Sequence, residues 1–246
     1  TDSGTTAMSK NQWAALMMGD GSYASCDSFF KLEKSVHDVF DIPYVQPVHQ
    51  GRAADYLLAK LYTKPGKIAI GNMHFDTFRG NAEVLGALVE DLVKDEGKNA
   101  SSPASPFKGN IDLNKCERII QEKGLESISV IILTVTCNNN GGQPVSMQNI
   151  KDTAEFAKKY NLPFVMDIAR VAENAYFIKT REEAYKDRSI ESIIKESVSY
   201  CETAVMSAKK DGLVNIGGLF LTRNKDIFTM ANQLAIVHEG FLTYGG

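Results

Sequence analysis

The chain has 246 residues, 43% of them hydrophobic, enough for one large domain or two small ones with a sizeable core. A net charge of −3 leaves no basic footprint for nucleic acid, and no apolar run is long enough to span a bilayer, so neither partner is expected. No secretory signal opens the chain, which starts at Thr1 rather than Met; the expectation is a cytoplasmic protein whose natural start lies upstream.

Along the chain, helical patterns alternate with short apolar runs. Ser9-x-x-Gln12 is a capping box before an apolar run through Trp13 and Met17. Phe29, Leu32, Val36 and Phe40 recur at helical spacing. Tyr44 to Val48 is a short strand, followed by His49-Gln50-Gly51-Arg52 and a helical segment from Ala53 to Tyr62. Lys67 to Ile70 is a second strand; Ala82 to Val93 fits neither period cleanly. Gly97 to Pro106, rich in Ser, Asn and Pro, is a surface loop. Asp112 caps a helix that ends near Gly124. Ser127 to Thr136, dense in β-branched residues, is a buried strand. Ser146 caps an amphipathic helix from Met147 to Tyr160, and Pro163 to Met166 is a strand running into Asp167. Ile190 to Tyr200 is helical, and Ala204 to Met206 and Leu219 to Thr222 are the last strands. This alternation predicts a mostly parallel α/β sheet flanked by helices.

The four cysteines form no C-x-x-C pair and the four histidines lack ligand spacing, so no metal site is predicted and reduced thiols are expected. In open α/β sheets ligands bind beyond the carboxyl ends of the strands. The polar residues there are Gln50-Gly51-Arg52, Phe75-Asp76, Asn138, Asp167-x-x-Arg170 and Ser207-x-Lys209-Lys210.

Each of these has an ordinary reading. A Gly-Arg turn is usually just a turn, an Asp after a strand often caps the next turn, and a Lys-Lys pair is usually solvated surface. Together, and in this order, they match the needs of one cofactor, pyridoxal phosphate. Its phosphate wants a Gly turn entering a helix N-terminus. Its ring nitrogen wants a carboxylate, as Asp167 offers, and its aldehyde wants a lysine, with two on offer after one strand. No G-x-G-x-x-G fingerprint or Walker A loop competes.

The same residues carry a family resemblance. Thr1-Asp2-Ser3-Gly4-Thr5, His49-Gln50-Gly51-Arg52, Gly141-Gly142-Gln143-Pro144-Val145-Ser146, Glu173-Asn174-Ala175-Tyr176-Phe177-Ile178-Lys179, Met206-Ser207-Ala208-Lys209-Lys210-Asp211 and Glu239-Gly240 with Thr243-Tyr244-Gly245-Gly246 resemble the tryptophanase and tyrosine phenol-lyase family of β-eliminating lyases. The resemblance implies an aspartate-aminotransferase-like (fold type I) large domain over residues 1–246. The family's N-terminal arm and C-terminal small domain, with its carboxylate-gripping arginine, would lie outside this stretch. It implies a homotetramer, a dimer of dimers with shared active sites.

By position, the resemblance assigns Lys210 to the cofactor aldehyde and the α-proton, and Asp167 to the ring nitrogen. It assigns Asn138 and Arg170 to the ring oxygen, Gln50, Gly51, Arg52 and Ser207 to the phosphate, and Phe75 to the ring face. Tyr23 would assist the leaving group in a neighbouring subunit, and Lys209 would organise water beside the ring. Thr1, Asp76 and Phe241 would meet an aromatic L-amino acid substrate. Asp76 and Phe241 look tryptophanase-like and Val214 to Gly218 looks phenol-lyase-like; the reading leans to tryptophan, with tyrosine, or a cofactor-binding domain without activity of its own, as alternatives. Two departures stand out. Potassium is a further cofactor implied by the family, but Gly21 replaces the Glu that helps hold it. Ile168 replaces a small residue and is expected to alter the pocket beside the ring.

Overall fold

Seven strands form one sheet in the computed structural model, which describes residues 8–21, 25–99, 101 and 105–240. They are β1 (Tyr44–Val48), β2 (Ile68–Gly71), β3 (Leu88–Asp91), β4 (Ile128–Thr134), β5 (Phe164–Asp167), β6 (Thr203–Ser207) and β7 (Gly218–Thr222), in the spatial order β1-β7-β6-β5-β4-β2-β3. All run in one sense except β7, which pairs antiparallel with both neighbours. The central strands are apolar on both faces, as parallel strands covered by helices must be. Pro47, which has no N–H to give a ladder, sits in the edge strand β1.

Ten α-helices are described: α1 (Lys10–Met17), α2 (Asp27–Phe40), α3 (Gly51–Tyr62), α4 (Asp76–Val84), α5 (Asp95–Lys98), α6 (Leu113–Lys123), α7 (Met147–Lys159), α8 (Val171–Arg181), α9 (Ile190–Ser199) and α10 (Lys225–Glu239). The expected caps form. Ser9 and Gln12 complete the capping box, Asp112 accepts from the N–H groups of Asn114 and Lys115, and Ser146 accepts from that of Asn149.

The ambiguous stretch from Ala82 to Val93 contains two elements. It holds the end of α4, a reversal at Gly86 (φ +82°), and β3. A window spanning both averages two periods into none. Gly97 and Lys98 belong to α5 rather than to the loop expected from Gly97. Ile168 is fully buried in the core rather than in the pocket where it was expected to act.

The helices cover the sheet unequally. On one face, α2, α6, α7, α8 and α9 bring side chains such as Phe40, Ile120, Ile150, Phe156 and Ile193 against Ile131, Leu133 and Met166. On the other, α3, α4 and α10 meet Ala69, Val130, Val165 and Phe220 largely through Ala53, Ala54, Ala59, Ala82, Ala231 and Ala235. No helix among the described residues is long and apolar enough to cross a membrane.

Candidate active site

Because β1, β2, β4, β5 and β6 run the same way, their carboxyl ends open on one edge of the sheet, where helix N-termini also point. Every residue expected to hold the cofactor lines a single cavity of about 120 Å³ there, and Lys209 joins them.

The Gln50-Gly51-Arg52 turn is built by close backbone packing. Gln50 is extended, and Gly51 starts α3, whose N-terminus no side chain caps, leaving its first N–H groups available to an anion. A Cβ on Gly51 would stand 2.6 Å from the Cβ of Ser207, and one on Gly218 would stand 2.4 Å from the carbonyl carbon of Gln50. The ends of β1 and β6 and the start of β7 thus converge on a cradle that side chains would fill. Lys209 Nζ donates to Gln50 Oε1 at 3.1 Å, and Lys210 Nζ donates to Ser207 Oγ at 3.0 Å. The Lys210 ammonium lies 5.8 Å from the ring centroid of Phe75, which caps α4.

Asp167 ends β5 between Thr134 and Val205, and its Oδ1 accepts from the N–H of Ala169 at 3.1 Å. Burial holds this carboxyl above the ordinary range, opposed by that N–H and by the charges of Lys210 and Arg170. A cationic hydrogen-bond donor against it would therefore be welcome. Arg170 Nε donates to Asn138 Oδ1 at 3.3 Å, and its Nη1 lies 3.6 Å from Glu173 Oε2.

Asp76 lies outside the cavity lining. It is exposed, and its Oδ1 accepts from Asn139 Nδ2 at 2.8 Å. Thr1, Tyr23 and Phe241 lie outside the described residues. Gly21 is exposed. Among the described residues no group of three or more His, Cys, Asp or Glu side chains could hold a metal ion. The four cysteines are unpaired and buried, and burial pushes the thiols of Cys116, Cys137 and Cys201 up to about 12.

Four polar cavity residues were not anticipated: Asp55 from α3, Thr77 from α4, Thr134 at the end of β4 and Thr136 just after it. Asp55 had a signal, since it is an acid set among the buried Ala54, Leu57 and Leu58 of one helix. Thr136 Oγ1 is buried without a hydrogen-bond partner.

A family profile described as Beta-eliminating lyase matches residues 1–244. The tyrosine phenol-lyase of Fusobacterium nucleatum is 46% identical over the whole chain, which covers 53% of that relative. The tryptophanase of Hyphomonas neptunium is 48% identical over the whole chain, which covers 54% of it. This chain therefore spans about half the length of the curated relatives it matches. A solved structure from Exiguobacterium, named as an aromatic amino acid β-eliminating lyase or threonine aldolase, superposes with a TM-score of 0.65 at 13% identity, over 91% of this chain and 56% of that one. At that identity the likeness speaks to fold alone, and the fold is the expected one.

Proposed function

The chain belongs to the β-eliminating lyase family, and on that premise we propose that it is the cofactor-binding large domain of a pyridoxal-phosphate enzyme. Its reaction releases the side chain of an aromatic L-amino acid, leaving pyruvate and ammonia. The observation that carries this reading is the convergence of a glycine-built cradle, a buried carboxylate and a lysine in one cavity. The residues fit the cofactor. A space in which a Cβ on Gly51 would collide with Ser207 suits a phosphate held by backbone N–H groups, with Arg52 supplying charge.

When bound, pyridoxal phosphate supplies an electron-withdrawing ring that spreads negative charge left on the substrate α-carbon. Gln50, Gly51, Arg52 and Ser207 bind the phosphate end. Asp167 holds a proton on the ring nitrogen, because its buried carboxylate gains a cationic partner by doing so. Phe75 covers one ring face, and Asn138 and Arg170 orient the ring oxygen. Lys210 would hold the aldehyde end through Nζ and, once the substrate is in place, would take the α-proton on the same nitrogen. Lys209 orders water beside the ring. An aromatic carbon leaves only once protonated; Tyr23, acting across a subunit boundary in a dimer of dimers, is the proposed donor.

The side chain released is proposed to be indole. Asp76 follows Phe75 directly, and a carboxylate can accept from an indole N–H, which is donor only. A second reading, phenol from tyrosine, is favoured by the relatives named tyrosine phenol-lyase. The test is to titrate the chain with pyridoxal phosphate, follow visible absorption, and analyse products after adding L-tryptophan or L-tyrosine. Pyruvate with indole supports the first reading and pyruvate with phenol the second. A chain that binds the cofactor but releases neither is a binding domain without activity of its own. Cofactor absorption that persists in Lys210→Ala and is lost in Lys209→Ala would reject the lysine assignment.

A further inference from the structure

Asp55 has no part in the proposed reaction, yet it lies in the site. It is 6% exposed, on the face of α3 that packs Ala54 and Leu58 toward the sheet, and it lines the same cavity as Asp167. Its Oδ2 accepts from the hydroxyl of Thr77, in the first turn of α4, two residues after Phe75. The Thr77 carbonyl is itself held by Asn81 Nδ2 at 2.9 Å. Asp55 thereby ties the helix behind the proposed phosphate turn to the helix behind Phe75.

Two carboxylates in one enclosed site resist ionising together, as their charges repel with little water between them. The other charged groups lining the cavity are Arg52 on α3, Arg170 after β5, and Lys209 and Lys210 after β6; α4 faces Asp55 with the neutral Thr77. Along the flank of α3, α10 presents Glu239 to His49, the residue before the helix's N-cap, and His238 to Tyr56. Asp167 has the better support for a charge: the Ala169 N–H together with Lys210 and Arg170. Asp55 has one hydroxyl and the pull of Lys210 alone.

We propose that Asp55 is a positioning residue of the cofactor site that stores one proton beside Asp167, so that the pair presents a single negative charge and that charge sits on Asp167. This rests on the pyridoxal-phosphate reading for its purpose, though not for its proton. Burial, with the neighbouring charge of Asp167, pushes the Asp55 carboxyl up to about 7, in keeping with a stored proton at and below neutral pH. Above that range a second buried charge appears, and the four cations of the cavity attract the anionic cofactor less strongly.

The test has two readouts. Infrared spectra of the cofactor-free protein follow the protonated-carboxyl band from pH 5 to 9. The wild type should lose a band near neutral pH, Asp55→Asn should lack that transition, and Asp167→Asn should move it at least one pH unit lower, tenfold in acid constant. A wild type with no protonated carboxyl at pH 6, a transition that survives in Asp55→Asn, or one that Asp167→Asn leaves in place would each overturn the proposal. Should Asp55→Asn not fold, the Asp167→Asn shift decides alone. Pyridoxal phosphate affinity is then measured from pH 6 to 8. The ratio of wild-type to Asp55→Asn affinity should fall several-fold as pH rises; a constant ratio, as a purely structural Asp55 would give, counts against it. If no variant binds the cofactor, the cofactor reading fails while the carboxyl band still reports on the proton.

Discussion

On one face of the sheet, α2, α6, α7, α8 and α9 fill the core with isoleucine, leucine, methionine and phenylalanine; on the other, α3, α4 and α10 come in on alanine. The first arrangement buries more apolar area for each contact, and such burial contributes roughly 25 cal/mol per Å². The second brings backbones close. Only with α3 lying low on the sheet can Gly51 meet Ser207 and Asp55 enter the cavity. One face therefore supplies stability, while the other supplies geometry. The two should respond differently to substitution.

The largest effect should come from Ile131→Ala on the thick face. Loss of a fully buried side chain there is expected to cost about 2–5 kcal/mol in denaturant unfolding, with unchanged cofactor affinity in the molecules that remain folded. Gly51→Ala should do the reverse. With its Cβ driven into Ser207, cofactor affinity should drop about 100-fold, or about 2.7 kcal/mol, while the unfolding midpoint moves little. Ala54→Leu tests the link between the two properties. Overpacking at this wholly buried position should destabilise by about 1–3 kcal/mol and, by lifting α3, weaken cofactor binding as well. A loss of stability with full cofactor affinity would break the proposed division between faces.

The smallest effect is electrostatic. Asp55 holds its proton more tightly when folded than its ordinary value of 3.8 allows, so the folded chain binds more protons than the unfolded one between about pH 4 and 7. Its contribution is fully present below that window and is lost as pH rises through it. Stability of the cofactor-free wild type should thus fall by up to about 1.4 kcal/mol per pH unit in this range from this group, and Asp55→Asn should flatten that slope. Unfolding curves at pH 5, 6 and 7 would check it.

Strands and caps were legible in the sequence because their causes are local. Ile128 to Thr134 buries through its own β-branched run, and Ser146 and Asp112 satisfy N–H groups two or three residues away. Helix α8 was not anticipated, and its cap comes from elsewhere. Its own N-cap gives no side-chain bond, and the N–H groups of Ala172 and Glu173 are met by Asp211 Oδ2, some 40 residues along. Helix α10 carries a local cap at Asn224, but Met230, Ile236 and Val237 are exposed while only Ala231 and Ala235 are buried, so no clean apolar stripe marks it. The residues proposed to hold the cofactor were legible as a group because each follows a strand. Asp55 lies inside a helix, and its membership of the site depends on how closely α3 approaches the sheet, which no window of sequence reports.

The reversed strand β7 also sets a timetable. Val48, at the end of β1, pairs with Gly218, about 170 residues later in the chain, and Gly218 packs against Gln50 in the phosphate turn. At roughly 5–20 residues per second, a ribosome makes the turn some ten to thirty-five seconds before it makes the strand that closes it. During that interval β1 has no partner in the sheet and the nascent chain has no finished place for its cofactor. Loading must therefore wait until β7 has been made, and a chaperone shielding β1 would have that long to act.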